Sequence, residues 1–170
     1  MAGLISGAGG SGELETQSGK LKLTDLLIGL AVILVVGALA APKLLRWRLA
    51  AGEASAINSV RLINAAEITY ASRYPDRGFA CALAELAGRG ADADPAARLL
   101  DPDLAAGVKN GYRFLIARCD GVPATSYLVT ALPVAPNQTG VRAFCSDQTG
   151  IIRYTPEGSA GCTPGSLPLE

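Results

Sequence analysis

The chain has 170 residues, room for one globular domain, and its 15 Lys+Arg balance its 15 Asp+Glu, so no net charge draws it to nucleic acid or a polyanionic substrate. It contains no histidine, which removes the commonest general base and the commonest transition-metal ligand. No nucleophile motif organises its Ser, Asp and Glu residues, so the sequence reads as non-enzymatic, with no cofactor, metal site or nucleic-acid partner expected.

In chain order, residues 1–18 are rich in Gly and Ser and show no apolar period, which predicts a disordered leader extending to residue 20. The glycines from Gly7 to Gly12 do not make a phosphate loop, because Gly19-Lys20 is followed by Leu21 and stands at the wrong distance. Residues 26–41 then form an uncharged apolar run of 16. A helix of that length spans about 24 Å against a hydrocarbon core of about 30 Å. Leu21, Leu23, Leu44 and Leu45 extend it when the interleaved Lys and Arg side chains snorkel, so residues 21–48 are predicted to be a transmembrane helix. Pro42 falls inside it and is expected to kink or loosen the helix.

After Arg48 the pattern turns amphipathic. Ala56, Val60, Ile63, Ala66 and Tyr70 recur at helical spacing, with Glu53, Asn58, Arg61 and Glu67 between them, and Pro75 ends the helix. Short helices are predicted over 81–87 and 95–106, followed by strands over 112–119, 126–132, 141–145 and 150–154. Asp147-Gln148-Thr149-Gly150 makes the turn of a hairpin between the last two, and residues 155–170 read as an irregular tail. The expected fold class is α+β: a long N-terminal helix, half membrane and half amphipathic, packed on a small antiparallel sheet within residues 49–170. Asn137-Gln138-Thr139 matches a glycosylation acceptor that arises often by chance, and Asp92, Asp94, Asp101 and Asp103 read as a solvated loop rather than a calcium site.

The four cysteines, Cys81, Cys119, Cys145 and Cys162, all follow the apolar run and none forms a CxxC pair. That usage suits two disulfides in an oxidising compartment. Three pairings are open and the sequence does not choose among them; Cys81 with Cys119 and Cys145 with Cys162 is the working expectation.

The segment LLIGLAVILVVGALAAPKLL, preceded by Asp25, resembles the N-terminal segment of type IV pilins and type II secretion pseudopilins. Glu53-Ala54-Ser55-Ala56, the stretch from Ala66 to Tyr70 and the stretch from Phe144 to Tyr154 also look like a pilin-like subgroup, so the resemblance runs from about Gly19 to Tyr154. It implies leader processing at Gly19, Lys20 or Leu21, and assembly through Asp25 and Pro42, with Asp25 placed on the family's acidic position by counting back from Pro42. The implied partner of Asp25 is the amino terminus of a neighbouring subunit, freed by leader cleavage.

Three features depart from the family pattern: Gly19 precedes Lys20 rather than an aromatic residue or Met, Asp25 replaces Glu, and the leader lacks basic residues. The resemblance implies a non-catalytic subunit of a type IV pilus-like filament or a type II secretion pseudopilus. Its partners would be copies of itself or other pilin-like subunits, a prepilin peptidase, the inner-membrane assembly machinery and the lipid bilayer. The chain would cross the inner membrane once with its C-terminal domain in the periplasm, and enter a periplasmic or extracellular filament on assembly. The flanking charges point the other way, because Lys43, Arg46 and Arg48 follow the apolar run while Lys20 and Lys22 precede it. Two rival readings are a secretory signal cut at Ala38-Leu39-Ala40 and a permanently anchored periplasmic binding domain that forms no filament.

Overall fold

The computed structural model describes residues 22–89 and 98–169, with the side chains of residues 39–42 excepted. Among these residues the elements in chain order are helices α1 (Leu23–Arg73), α2 (Leu83–Leu86) and α3 (Pro102–Ala105), then strands β1 (Val108–Lys109), β2 (Tyr112–Asp120), β3 (Ser126–Pro133), β4 (Ala143–Asp147), β5 (Arg153–Thr155) and β6 (Leu167–Pro168). The strands form one six-stranded antiparallel meander in sequence order. The fold class is therefore α+β, with one long helix and one antiparallel sheet.

Tertiary contacts divide the chain into two compact units, Met1–Ala40 and Ala41–Glu170. In the first unit, the part of α1 from Leu23 onward carries exposed Leu, Ile and Val on every side. It is the described helix long and apolar enough to cross a membrane. The 51-residue helix is continuous in backbone assignment through Pro42.

In the second unit, α1 buries Ala56, Val60, Ile63, Ala66 and Tyr70, the stripe its periodicity predicts. They meet the inward face of the sheet, formed by Tyr112, Phe114 and Ile116 of β2, Tyr127, Val129 and Ala131 of β3 and Phe144 of β4. The alternation on β2 is strict over its first half, since Arg113 and Leu115 between those positions are exposed. Full burial of each large aliphatic side chain here stabilises the unit by about 1.5–3 kcal/mol. Leu83 and Leu86 of α2 and Leu104 of α3 extend the same core.

A smaller cluster covers part of the opposite face, where Leu128, Ala143 and Cys145 pack against Cys162. β4 is consequently buried on both faces. The disulfides join Cys81 to Cys119 and Cys145 to Cys162. The first ties the segment after α1 to β2, and the second holds the C-terminal segment on the outer face of β4.

Several elements differ from their sequence expectations. The helix expected over 95–106 is helical only from Pro102 to Ala105 within its described part. Asp101 ends the preceding loop by capping α3: its carboxylate accepts the Leu104 N–H at 3.0 Å, and Pro102 occupies the first turn. The strand expected over 141–145 instead begins at Ala143, because the N–H groups of Val141 and Arg142 donate to a carboxylate of α1 rather than to a neighbouring strand. The fourth expected strand begins at Arg153 rather than at residue 150, with Ile152 turned into the core. The tail is not wholly irregular, since Leu167 and Pro168 pair with Tyr154 and Arg153 as an edge strand, where proline's missing N–H is tolerated.

Candidate functional site

The apolar segment begins with a charged turn. The Asp25 N–H donates to the Lys22 carbonyl at 2.8 Å, opening α1, and Asp25 is the acidic residue of its first turn. A carboxylate there is favoured by the helix dipole. Its side chain is exposed within this chain, as are those of Leu26, Leu27, Ile28 and Leu30 beside it. Gly29 lies one turn on, on nearly the same side of the helix, and a Cβ added there meets nothing within 4 Å. The same holds for Gly37. The segment thus offers an ionisable group, small notches and a continuous apolar surface. Gly19, Lys20 and Leu21, the expected processing residues, lie outside the described residues, as does the side chain of Pro42.

The globular unit places two carboxylates of α1 inside the protein. Glu53 is 8% exposed. Its Oε1 accepts the N–H groups of Val141 and Arg142 at 3.0 and 3.1 Å, and its Oε2 accepts from Arg142 Nε and pairs with the guanidinium at 2.8 Å. Arg142 in turn lies over the rings of Phe144 and Tyr154, 5.4 and 5.3 Å from their centroids. Next to this clasp, Gly52 lets α1 approach the β3–β4 loop closely, since an added Cβ would stand 2.6 Å from the Thr139 carbonyl oxygen. One face of a helix is thereby latched to one loop.

Glu67 is fully buried. Its Oε2 accepts the Ala80 N–H at 2.8 Å, while its Oε1 has no hydrogen-bond partner among the described residues. Burial pushes its carboxyl up to about 8, and the nearby charge of Glu85 adds to the rise against the lowering effect of the Ala80 bond. A third polar link runs from the Tyr127 hydroxyl to Asn64 Oδ1 at 3.1 Å, and from Asn64 Nδ2 to the Ser146 hydroxyl at 2.8 Å. These contacts orient α1 against the sheet.

The sequence pattern puts Glu53 and Glu67 among the polar residues flanking the stripe; Asn58 and Arg61 are exposed as expected, but the two carboxylates are buried. The signal was present in their positions, since 53, 56, 60, 63, 67 and 70 follow one another at three- and four-residue steps. Of the four aspartates weighed as a loop cluster, Asp92 and Asp94 lie outside the described residues. Asp101 already holds Leu104 N–H and Lys109 Nζ, the latter at 2.8 Å, and these bonds keep its carboxyl below the usual range, that to Lys109 most of all. The Thr139 hydroxyl of the Asn137-Gln138-Thr139 tripeptide is bonded to the backbone of Ala135 inside the β3–β4 loop. Comparison of the chain with protein-family models, curated proteins and solved structures finds no match.

Proposed function

We propose that this chain is a non-catalytic structural subunit of a type IV pilus-like filament or type II secretion pseudopilus, assembled through its N-terminal hydrophobic helix. The observation that carries the reading is Asp25: an exposed carboxylate in the first turn of a helix whose next 16 residues are uncharged. An unpaired carboxylate at the edge of a lipid-embedded helix costs a few kcal/mol, so it favours a state in which a cation meets it. In the resembling family that cation is the amino terminus of the next subunit. The two disulfides suit a globular unit delivered to an oxidising compartment. The apolar surface of residues 26–38 suits storage in a bilayer followed by packing against copies of itself. The globular unit, latched to α1 by Glu53 and Glu67, would then form the outer surface of the filament.

Intact mass of the membrane-extracted chain, expressed with and without a prepilin peptidase, tests the reading. The expected result is loss of residues 1–19 or 1–20 only with the peptidase, and a gain of about 4 Da on reduction of the two disulfides. A cut after Ala40 would make the product a secreted domain, and an uncut chain would make it a fixed membrane anchor.

A further inference from the structure

The helix does not pass directly from its apolar run to the stripe it packs on the sheet. Residues 43–48 intervene, reading Lys-Leu-Leu-Arg-Trp-Arg, and all six side chains are exposed. Trp47 is 77% exposed, Leu44 57% and Leu45 49%. Between Asp25 and Glu53 the only charges are Lys43, Arg46 and Arg48, and Glu53 is already committed to Arg142. None of the three cations has an ion pair among the described residues.

At about 100° per residue, Arg46 lies about 60° to one side of Lys43 and Arg48 about 140° to the other, while Trp47 sits about 40° from Lys43. The cations therefore spread over about 200° of the helix circumference, wider than the single face a packed helix presents. A protein partner reads one face of a helix; a surrounding layer of headgroups reads the whole circumference. Leu44 and Leu45 fill the gaps between the cations, so the ring is apolar toward acyl chains and cationic toward phosphates, with arginine stems long enough to bridge the two. An amphipathic indole at the same level is the usual occupant of the membrane interface.

We infer that Lys43, Arg46 and Arg48, with Trp47, form a collar that binds anionic phospholipid headgroups at the end of the apolar segment. The inference rests on the membrane-anchored reading and adds the lipid chemistry. Cations near an anionic surface are attracted to it, so the collar favours acidic lipid and must be stripped of it when the helix leaves the bilayer.

Trp47 is the sole tryptophan of the chain, so its emission reports this collar alone. The full chain is reconstituted into vesicles of phosphatidylcholine, with or without a third of phosphatidylglycerol, and Trp47 is quenched with acrylamide. The expected result is quenching reduced about two-fold in the anionic vesicles. That protection should be lost in 0.5 M salt and in the triple variant Lys43→Gln, Arg46→Gln, Arg48→Gln. Equal quenching in both vesicles, or protection that survives in the triple variant, overturns the inference and leaves the anchored reading standing. A chain that fails to float with either vesicle overturns both.

Discussion

Glu67 is the residue whose chemistry is most displaced by its surroundings. Its neutral form is favoured in the folded chain, with the carboxyl raised from 4.5 to about 8 chiefly by desolvation. The folded state therefore binds more protons than the unfolded one between those values, and stability falls as pH rises through that window. The contribution is fully present below pH 4.5, is lost by about pH 8, and amounts to a few kcal/mol. Glu67→Gln keeps an acceptor for the Ala80 N–H and removes the titration. In urea unfolding the variant should match the wild type near pH 4.5 and exceed it at pH 8; parallel profiles would show that Glu67 ionises freely in the fold. Glu53 is held differently, its carboxylate bonded to the Arg142 guanidinium and two backbone donors. Glu53→Ala leaves those donors unpaired and should cost about 2–4 kcal/mol, read as a lower urea midpoint with an unchanged slope.

At the scale of elements, the two disulfides close loops of different length and sit in different surroundings. Cys145 is fully buried and Cys162 is 4% exposed, whereas Cys81 lies exposed at the surface. Limited reduction followed by alkylation and peptide mapping should label Cys81 and Cys119 before Cys145 and Cys162. Loop separations of 38 and 17 residues correspond to about 4 and about 3 kcal/mol of chain entropy, so replacing either pair by Ser should lower stability by comparable amounts. Gly52→Ala should also destabilise the unit, by about 1–3 kcal/mol, since the helix cannot draw back from Thr139 without straining the Glu53 clasp.

The long helix, the central strands and the β4–β5 hairpin were legible in the sequence, because each is announced by a strong period or by turn residues such as Asp147 and Gly150. The edges were not. β1 and β6 have two residues each and no period to detect, and the start of β4 depends on Glu53, 88 residues away from Val141 in sequence. Burial of Glu53 and Glu67 was hidden for a related reason: charge suggests solvent, while position on the stripe dictates the core. Asp25 was legible as a charge beside an apolar run, but a single chain gives it no partner to display.

For the whole molecule, the proposed division of labour is between an apolar helix that stores and assembles the subunit and a disulfide-bonded unit that presents a surface. The lipid collar at residues 43–48 would mark the border between them while the subunit waits in the bilayer. Asp25 belongs to this scale because its effect appears only between copies. The measurement that reaches that level most directly is electron microscopy of the sheared surface fraction from cells expressing the chain with a type IV filament assembly system, with antibody against the globular unit. Wild-type chain should label filaments along their length, and Asp25→Ala should leave a folded, membrane-bound subunit with few or none. Filaments of equal number from Asp25→Ala, or a wild-type chain that stays in the membrane unassembled, would contradict the filament-subunit reading.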